Sequence, residues 1–383
     1  MLPRIAMVST FPPTQCGIAT FAESLTRALT KAGALVDMVD LPGGPETPPH
    51  DAILHRHRGF QDLPVTSYLL DSFDAVILQH EYGIWDGPDG RGIVDLIGAI
   101  ASPVITVLHT VPAAATGGQR RVLQGILDLS DAVVVLSHSA YRRLLRDFSV
   151  RPGTVAMIPH GATALWHLRR EHQDGAPHRI LTWGLLGRGK GLEWGIRAMA
   201  LLRDRGVAGE YVIAGATHPN VRRNEGEAYR QSLIDLARKL GVADSVTLAD
   251  EYLGDSELNR LIGESSIFLL PYDSREQITS GVLTEAVAAG GPVIATRFPH
   301  AAELLGTGAG VLVDHRDPMA IADAVEHIVR DGAASERMRA RSRALAADLD
   351  WDTVGSNYLT LADRLWRGRD ILDAQATPQA VSA

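Results

Sequence analysis

Short apolar runs that end in glycine or polar exits alternate with longer amphipathic stretches along most of the chain. Residues 5–9, 35–39, 75–78, 104–108 and 133–136 are almost continuously apolar, which predicts strands buried on both faces, as in a parallel sheet. A helical pattern over 21–32 joins the first two runs. The same alternation resumes at residue 180: strands over 180–184, 211–214, 245–248, 267–270, 293–295 and 312–313, with helices over 193–203, 229–240 and 256–262 and another from Val282. Between the halves, residues 165–178 are charged and without a period, which predicts a hinge.

The expected organisation is therefore two doubly wound α/β domains: 1–164, a linker over 165–178, and 179–350. A closing helix over 351–370 and a loose tail over 371–383 follow. Two such domains in tandem are expected to hold a ligand between facing carboxyl ends of their sheets.

Composition narrows the function. The 383 residues are 45% hydrophobic but only 5% aromatic, with 37 glycines and 20 prolines, which suits small-residue strands and many tight turns. A formal net charge of −8 argues against a protein that grips nucleic acid. One cysteine, Cys16, excludes an internal disulfide framework. No basic n-region precedes an early apolar run, and no stretch reaches the roughly 20 apolar residues of a spanning helix, so a cytoplasmic location is expected. The chain uses arginine almost everywhere and keeps only three lysines, at 31, 190 and 239. A lysine inside a glycine-rich loop therefore stands out.

That loop is Gly184-Leu-Leu-Gly-Arg188-Gly-Lys190-Gly191, after a predicted strand. Its glycines let backbone approach a phosphate, while Arg188 offers a fork and Lys190 a point charge. It is not a Walker loop, since no hydroxyl residue follows Gly-Lys. A second loop runs from Leu270 through Glu276, Gln277, Ile278, Thr279, Ser280 and Gly281 into the helix at Val282, with His300 and Glu303 beyond. A helix start offers unpaired N–H groups and partial positive charge to an anion, and Glu285, one turn inside, is an acceptor for paired hydroxyls. In the first half, residues 10–20 form a strand-to-helix turn containing Cys16 and Gly17. Two more strands end at His80-Glu81 and at His109. The run after residue 214 carries Arg222, Arg223 and Arg230 among glutamates, which reads as a solvated face.

These segments resemble the Glu-x7-Glu, glycine-lysine and N-terminal glycine motifs of retaining glycosyltransferases of the GT-B fold, most closely glycosyltransferase family 4. Three positions depart from the pattern: Gln277 stands where the first Glu is usual, Leu185 where an arginine is usual, and Cys16 where the partner of Gly17 is usual. The resemblance implies two facing Rossmann-like domains and a C-terminal helix returning to the first. It implies transfer of a hexose from a nucleoside-diphosphate sugar, UDP or GDP, to a hydroxyl acceptor, with no metal and no cofactor besides the donor. Lys190 and Arg188 would then stabilise the leaving diphosphate and Glu285 would hold the ribose. Glu276, Gln277 and the N–H groups of 278–281 would orient hexose and diphosphate. Glu251 would lie by the base, Gly17 and Gly184 by the donor, His109 on the hexose, and His80 and Glu81 toward the acceptor. The departures at Gln277 and Leu185 keep open a phosphorylase using inorganic phosphate and a silent nucleotide-sugar-binding protein, and a nucleotide-sugar epimerase is a further rival.

Overall fold

The computed structural model describes residues 2–41, 53–168, 176–249 and 253–368, and the chain divides into two compact units, Met1–Gly161 with Trp351–Ala383, and Ala162–Asp350. In the first unit, β1 (Arg4–Ser9), β2 (Leu35–Asp40), β3 (Ile53–Arg56), β4 (Ala75–His80), β5 (Val104–Leu108), β6 (Ala132–Val135) and β7 (Val155–Met157) form one sheet in the order β3-β2-β1-β4-β5-β6-β7. Every neighbouring pair runs parallel. The connections carry α1 (Gly17–Lys31), α2 (Leu63–Leu70), α3 (Gly92–Ile97), α4 (Gly117–Leu129) and α5 (His138–Asp147). The predicted strands are present because β1, β4, β5 and β6 bury nearly every side chain on both faces.

The second unit repeats the design. Its strands β8 (His178–Trp183), β9 (Gly209–Ala214), β10 (Val246–Ala249), β11 (Ile267–Leu270), β12 (Val293–Thr296) and β13 (Gly310–Val313) lie parallel in the order β10-β9-β8-β11-β12-β13. They alternate with α6 (Leu192–Asp204), α7 (Pro219–Glu225), α8 (Ala228–Lys239), α9 (Asp255–Glu264), α10 (Gly281–Ala288), α11 (Pro299–Leu304), α12 (Pro318–Arg330) and α13 (Gly332–Leu349). Strand order reverses beside β1 and β4 in one sheet and beside β8 and β11 in the other, the places where doubly wound sheets open a crevice at their carboxyl ends.

The last helix, α14 (Trp351–Trp366), belongs to the first unit, where Val354, Tyr358 and Leu361 join Phe21, Leu25 and Leu29 in one core. Gly355 lets it lie close to α1: a Cβ there would come 2.7 Å from Ala28 Cβ. The segment expected to end the first domain and start a linker instead joins the second unit from Ala162, whose N–H donates to Leu349 O. Leu165 is buried there among Trp183, Leu283 and Val287. Among the described residues no helix is long and apolar enough to cross a membrane.

Candidate functional site

In the second unit both singled-out loops leave neighbouring strands, β8 and β11, at the reversal of strand order. After Trp183 the first loop is tied to the β9 exit, with the N–H groups of Gly184 and Leu186 donating to Ala214 O and Ala216 O at 3.0 and 2.9 Å. It then makes a single 3₁₀ turn, Arg188–Lys190, closed by Gly191 at φ 60° and ψ 28°, which also caps α6. Only glycine enters this left-handed conformation without penalty, and here a Cβ would also lie 2.1 Å from Pro271 O. From the other loop, Asp273 N–H donates to Gly189 O at 3.0 Å. The two loops therefore hold each other.

The Lys190 ammonium donates to the Tyr272 hydroxyl at 3.0 Å and stands 4.3 Å from the centre of that ring. Tyr272 is only 2% exposed, stacks on Phe298 at 5.3 Å, and accepts at its carbonyl from Thr296 Oγ1 and His315 Nδ1. The cation is thereby held at the mouth of the β8 and β11 exits. Burial, and after it the charge of Lys190, lowers the pKa of His218 below its ordinary value. Arg188 goes elsewhere: its guanidinium pairs with Glu225 at 2.9 Å and lies over the Tyr229 ring, with its side chain 64% exposed. The expectation of two cations side by side is thus met by Lys190 alone, because an acidic residue on α7 draws Arg188 outward.

The start of α10 is built by side chains of the loop already singled out in the sequence. Ser280 caps it, its Oγ accepting from Leu283 N–H at 3.2 Å, and Ser280 N–H donates to Nδ1 of the buried His300 at 2.9 Å. Gln277 Nε2 donates to Thr279 O at 2.6 Å, while its carbonyl takes His300 N–H. Gln277 therefore braces the loop, Glu276 beside it is exposed, and Ile278 is buried. Thr279 Oγ1 is buried without a hydrogen-bond partner. The N–H groups of Gly281 and Val282 open the helix with no intrahelical acceptor. One turn on, Glu285 Oε2 accepts from the Trp183 indole at 2.8 Å. Arg230 is not part of a solvated face: it is 5% exposed and donates to Gly215 O and Ala249 O at the tips of β9 and β10. Glu251 lies outside the described residues.

The first unit presents a second cluster at the tips of β1, β4 and β5. Cys16 caps α1, its sulfur accepting from Ala19 N–H at 3.3 Å, and a Cβ at Gly17 would meet no atom within 4 Å. His109 donates from Nε2 to Gln79 Oε1 at 2.8 Å and lies edge-on to Phe21. Burial, then the neighbouring imidazoles of His160 and His80, pushes its pKa down to about 3, so it is neutral at physiological pH. Glu81 accepts from the Thr110 hydroxyl and from Tyr82 N–H, and burial raises its pKa against the pull of those two bonds. His80 does not face outward as expected. It is 0% exposed, neither ring nitrogen has a hydrogen-bond partner among the described residues, and burial alone lowers its pKa to about 3. β4 ends at His80 with every side chain buried, so its ring is enclosed, while Glu81, the first residue past the strand, is half-buried.

Known proteins give the arrangement a context. Residues 16–163 match the family model described as Glycosyltransferase Family 4, and residues 177–331 match the one described as Glycosyl transferases group 1. The glycogen synthase of Mycobacterium tuberculosis (strain H37Rv) is 27% identical over 268 residues, 66% of this chain and 61% of the relative. A D-inositol 3-phosphate glycosyltransferase of Corynebacterium diphtheriae is 27% identical over 272 residues, 65% of this chain and 62% of the relative. The matched region thus spans less than two thirds of those relatives. Among solved structures, the sucrose-phosphate synthase of Thermosynechococcus elongatus superposes with a TM-score of 0.74 at 20% identity, over 96% of this chain and 100% of the other. Anabaena Alr3699/HepE in complex with UDP-glucose gives 0.73 at 14% identity, over 94% and 100%.

Proposed function

This chain belongs to the glycosyltransferases of group 1 and family 4 and has their GT-B fold, and from that premise we propose that it is a retaining transferase moving a hexose from a nucleoside-diphosphate sugar to a hydroxyl acceptor. The observation that carries the proposal is the pairing of a positioned cation with a helix start at the exits of β8 and β11, with a carboxylate one turn inside. A diphosphate is the anion such a pair suits. Lys190 and the N–H groups at the start of α10 offset the charge that grows on the departing diphosphate, so charge compensation needs no metal in this reading. Glu285, oriented by Trp183, takes ribose hydroxyls, since a carboxylate only accepts and hydroxyls donate. Glu276 and the braced Gln277 loop orient the hexose.

In the first unit, His109 is the neutral contact to the hexose and Glu81 the acceptor-side group, while the enclosed His80 takes no part. The proton of the acceptor hydroxyl leaves on the departing phosphate, so no protein nucleophile is required. A structural neighbour in complex with UDP-glucose and another that is a sucrose-phosphate synthase support the donor class. The test is transfer and donor hydrolysis with a panel of nucleotide sugars by wild type, Lys190→Ala and Glu285→Ala. Loss of Lys190 is expected to lower kcat by about 10²–10³. Wild-type turnover in both variants would sink the assignment. Sugar 1-phosphate released only with inorganic phosphate would favour a phosphorylase.

A further inference from the structure

Gln79 lies one residue before the end of β4 and is 0% exposed. The register pairs it with Val107 on β5, so Gln79, Val107 and His109 share one face of the sheet, the face that α1 covers with Phe21. Its amide has two neighbours: Nε2 approaches the Met7 sulfur at 3.3 Å, and Oε1 takes His109 Nε2 at 2.8 Å. The orientation of the amide follows from this. A thioether is a weak acceptor and never a donor, so the NH₂ belongs on Met7 and the carbonyl on the imidazole. An imidazole nitrogen facing a carbonyl must carry the proton. His109 is therefore the Nε2–H tautomer, and its Nδ1, for which no hydrogen bond is found among the described residues, is the ring's one acceptor.

Resting on the glycosyl-transfer reading above, we infer that Gln79 is a positioning residue, which fixes His109 as a neutral hydrogen-bond acceptor so that Nδ1 receives a hydroxyl of the transferred sugar. His109 then cannot serve as a cation beside the diphosphate. The titratable groups near enough to act on it are His80 at the end of β4 and His160 after β7, and burial keeps both uncharged at neutral pH. No charged partner stabilises an imidazolium there. A sugar hydroxyl meeting Nδ1 must donate, which leaves its oxygen lone pairs for other groups.

The experiment reads the tautomer directly. Ring ¹⁵N spectra of labelled wild type, with the His109 signals identified by comparison with His109→Gln, are expected to show the Nε2–H form from about pH 5 to 8, whether or not a donor has been found. Gln79→Met is expected to mix the tautomers and to lower kcat about tenfold, the worth of one hydrogen bond, with little change in donor KM. Gln79→Glu sets a carboxylate against the ring, raises the His109 pKa, and should move the acid limb of kcat/KM to higher pH. An Nδ1–H form in wild type overturns the inference. So does an unchanged tautomer and pH profile in both variants. Correct tautomers with no transfer to any acceptor would leave Gln79 in place and remove the glycosyl-transfer reading instead.

Discussion

Replacing Gly191 by alanine tests the construction of the Lys190 turn. Gly191 sits at φ 60°, where a residue with a Cβ costs about 1–2 kcal/mol. The new Cβ would stand 2.1 Å from Pro271 O and 3.1 Å from Trp194 Cδ1, an overlap that must be relieved by moving either the α6 start or the β11 exit. Overpacking of this kind adds roughly 1–3 kcal/mol, so Gly191→Ala should lower stability by about 2–5 kcal/mol. Gly189, two residues earlier, is the control: it has ordinary backbone angles and no atom within 4 Å of its would-be Cβ. Gly189→Ala should change stability by no more than about 0.5 kcal/mol. If donor phosphates approach this turn, it should still weaken binding of the nucleotide sugar, because the space is then reserved for ligand. Urea midpoints at constant m and titration with the nucleoside diphosphate separate the two effects. A Gly191→Ala protein as stable as wild type would refute the placement of the turn, and undiminished binding in Gly189→Ala would refute the phosphate assignment.

Two further outcomes follow from the same contacts. Burial lowers the folded pKa values of His80, His109 and His160 to about 3, 3 and 4, below the ordinary histidine value of 6.5. The unfolded chain therefore binds protons that the native state refuses, so stability should fall as pH drops from about 6.5 toward 4, visible as a declining urea midpoint. The His80 ring makes no hydrogen bond among the described residues, so His80→Leu should hold neutral-pH stability to within about 1 kcal/mol and flatten that decline; an acid limb as steep as wild type contradicts this. Arg188 forms an exposed ion pair with Glu225, of a kind worth about 0–1 kcal/mol. Arg188→Ala should thus leave the melting curve nearly unchanged and reduce kcat far less than Lys190→Ala, and an equal loss in both would return Arg188 to the leaving group.

Strands buried on both faces are the elements most legible in this sequence, because β1, β4, β5, β6 and β11 are each built on a nearly continuous apolar run. β3 was not legible. Its sequence Ile-Leu-His-Arg pairs with β2 at the sheet edge, where Arg56 meets Asp40 and His55 meets Thr66, partners that no local pattern announces. In the candidate site, residue types at strand exits were readable and their directions were not. Arg188 is turned by a glutamate 37 residues away, and Gln277 is held by its own loop. Pleat parity could have separated His80 from His109, since counting along β4 and β5 puts them on opposite faces. Nothing local marks Tyr272 as the partner of Lys190.

The two units share a device that the motifs do not encode. At the order reversal of each sheet, a buried side chain in the closing residues of a strand uses its polar atom to orient the group proposed to meet ligand: Gln79 on β4 holds His109, and Trp183 on β8 holds Glu285. Both orienting residues are fixed by the core, Gln79 beside Met7 and Trp183 against Phe268 at 5.3 Å, so their own rotamers have little freedom. A ligand-facing group held this way loses little entropy on binding, and its direction is set before substrate arrives. This also explains the choice of a donor in one unit and an acceptor in the other. The carboxylate of Glu285 needs an N–H to fix it, which the indole supplies, whereas the imidazole of His109 needs a carbonyl, which the amide supplies. Exchanging the chemistry at either strand end would leave the core volume nearly intact and misdirect the site.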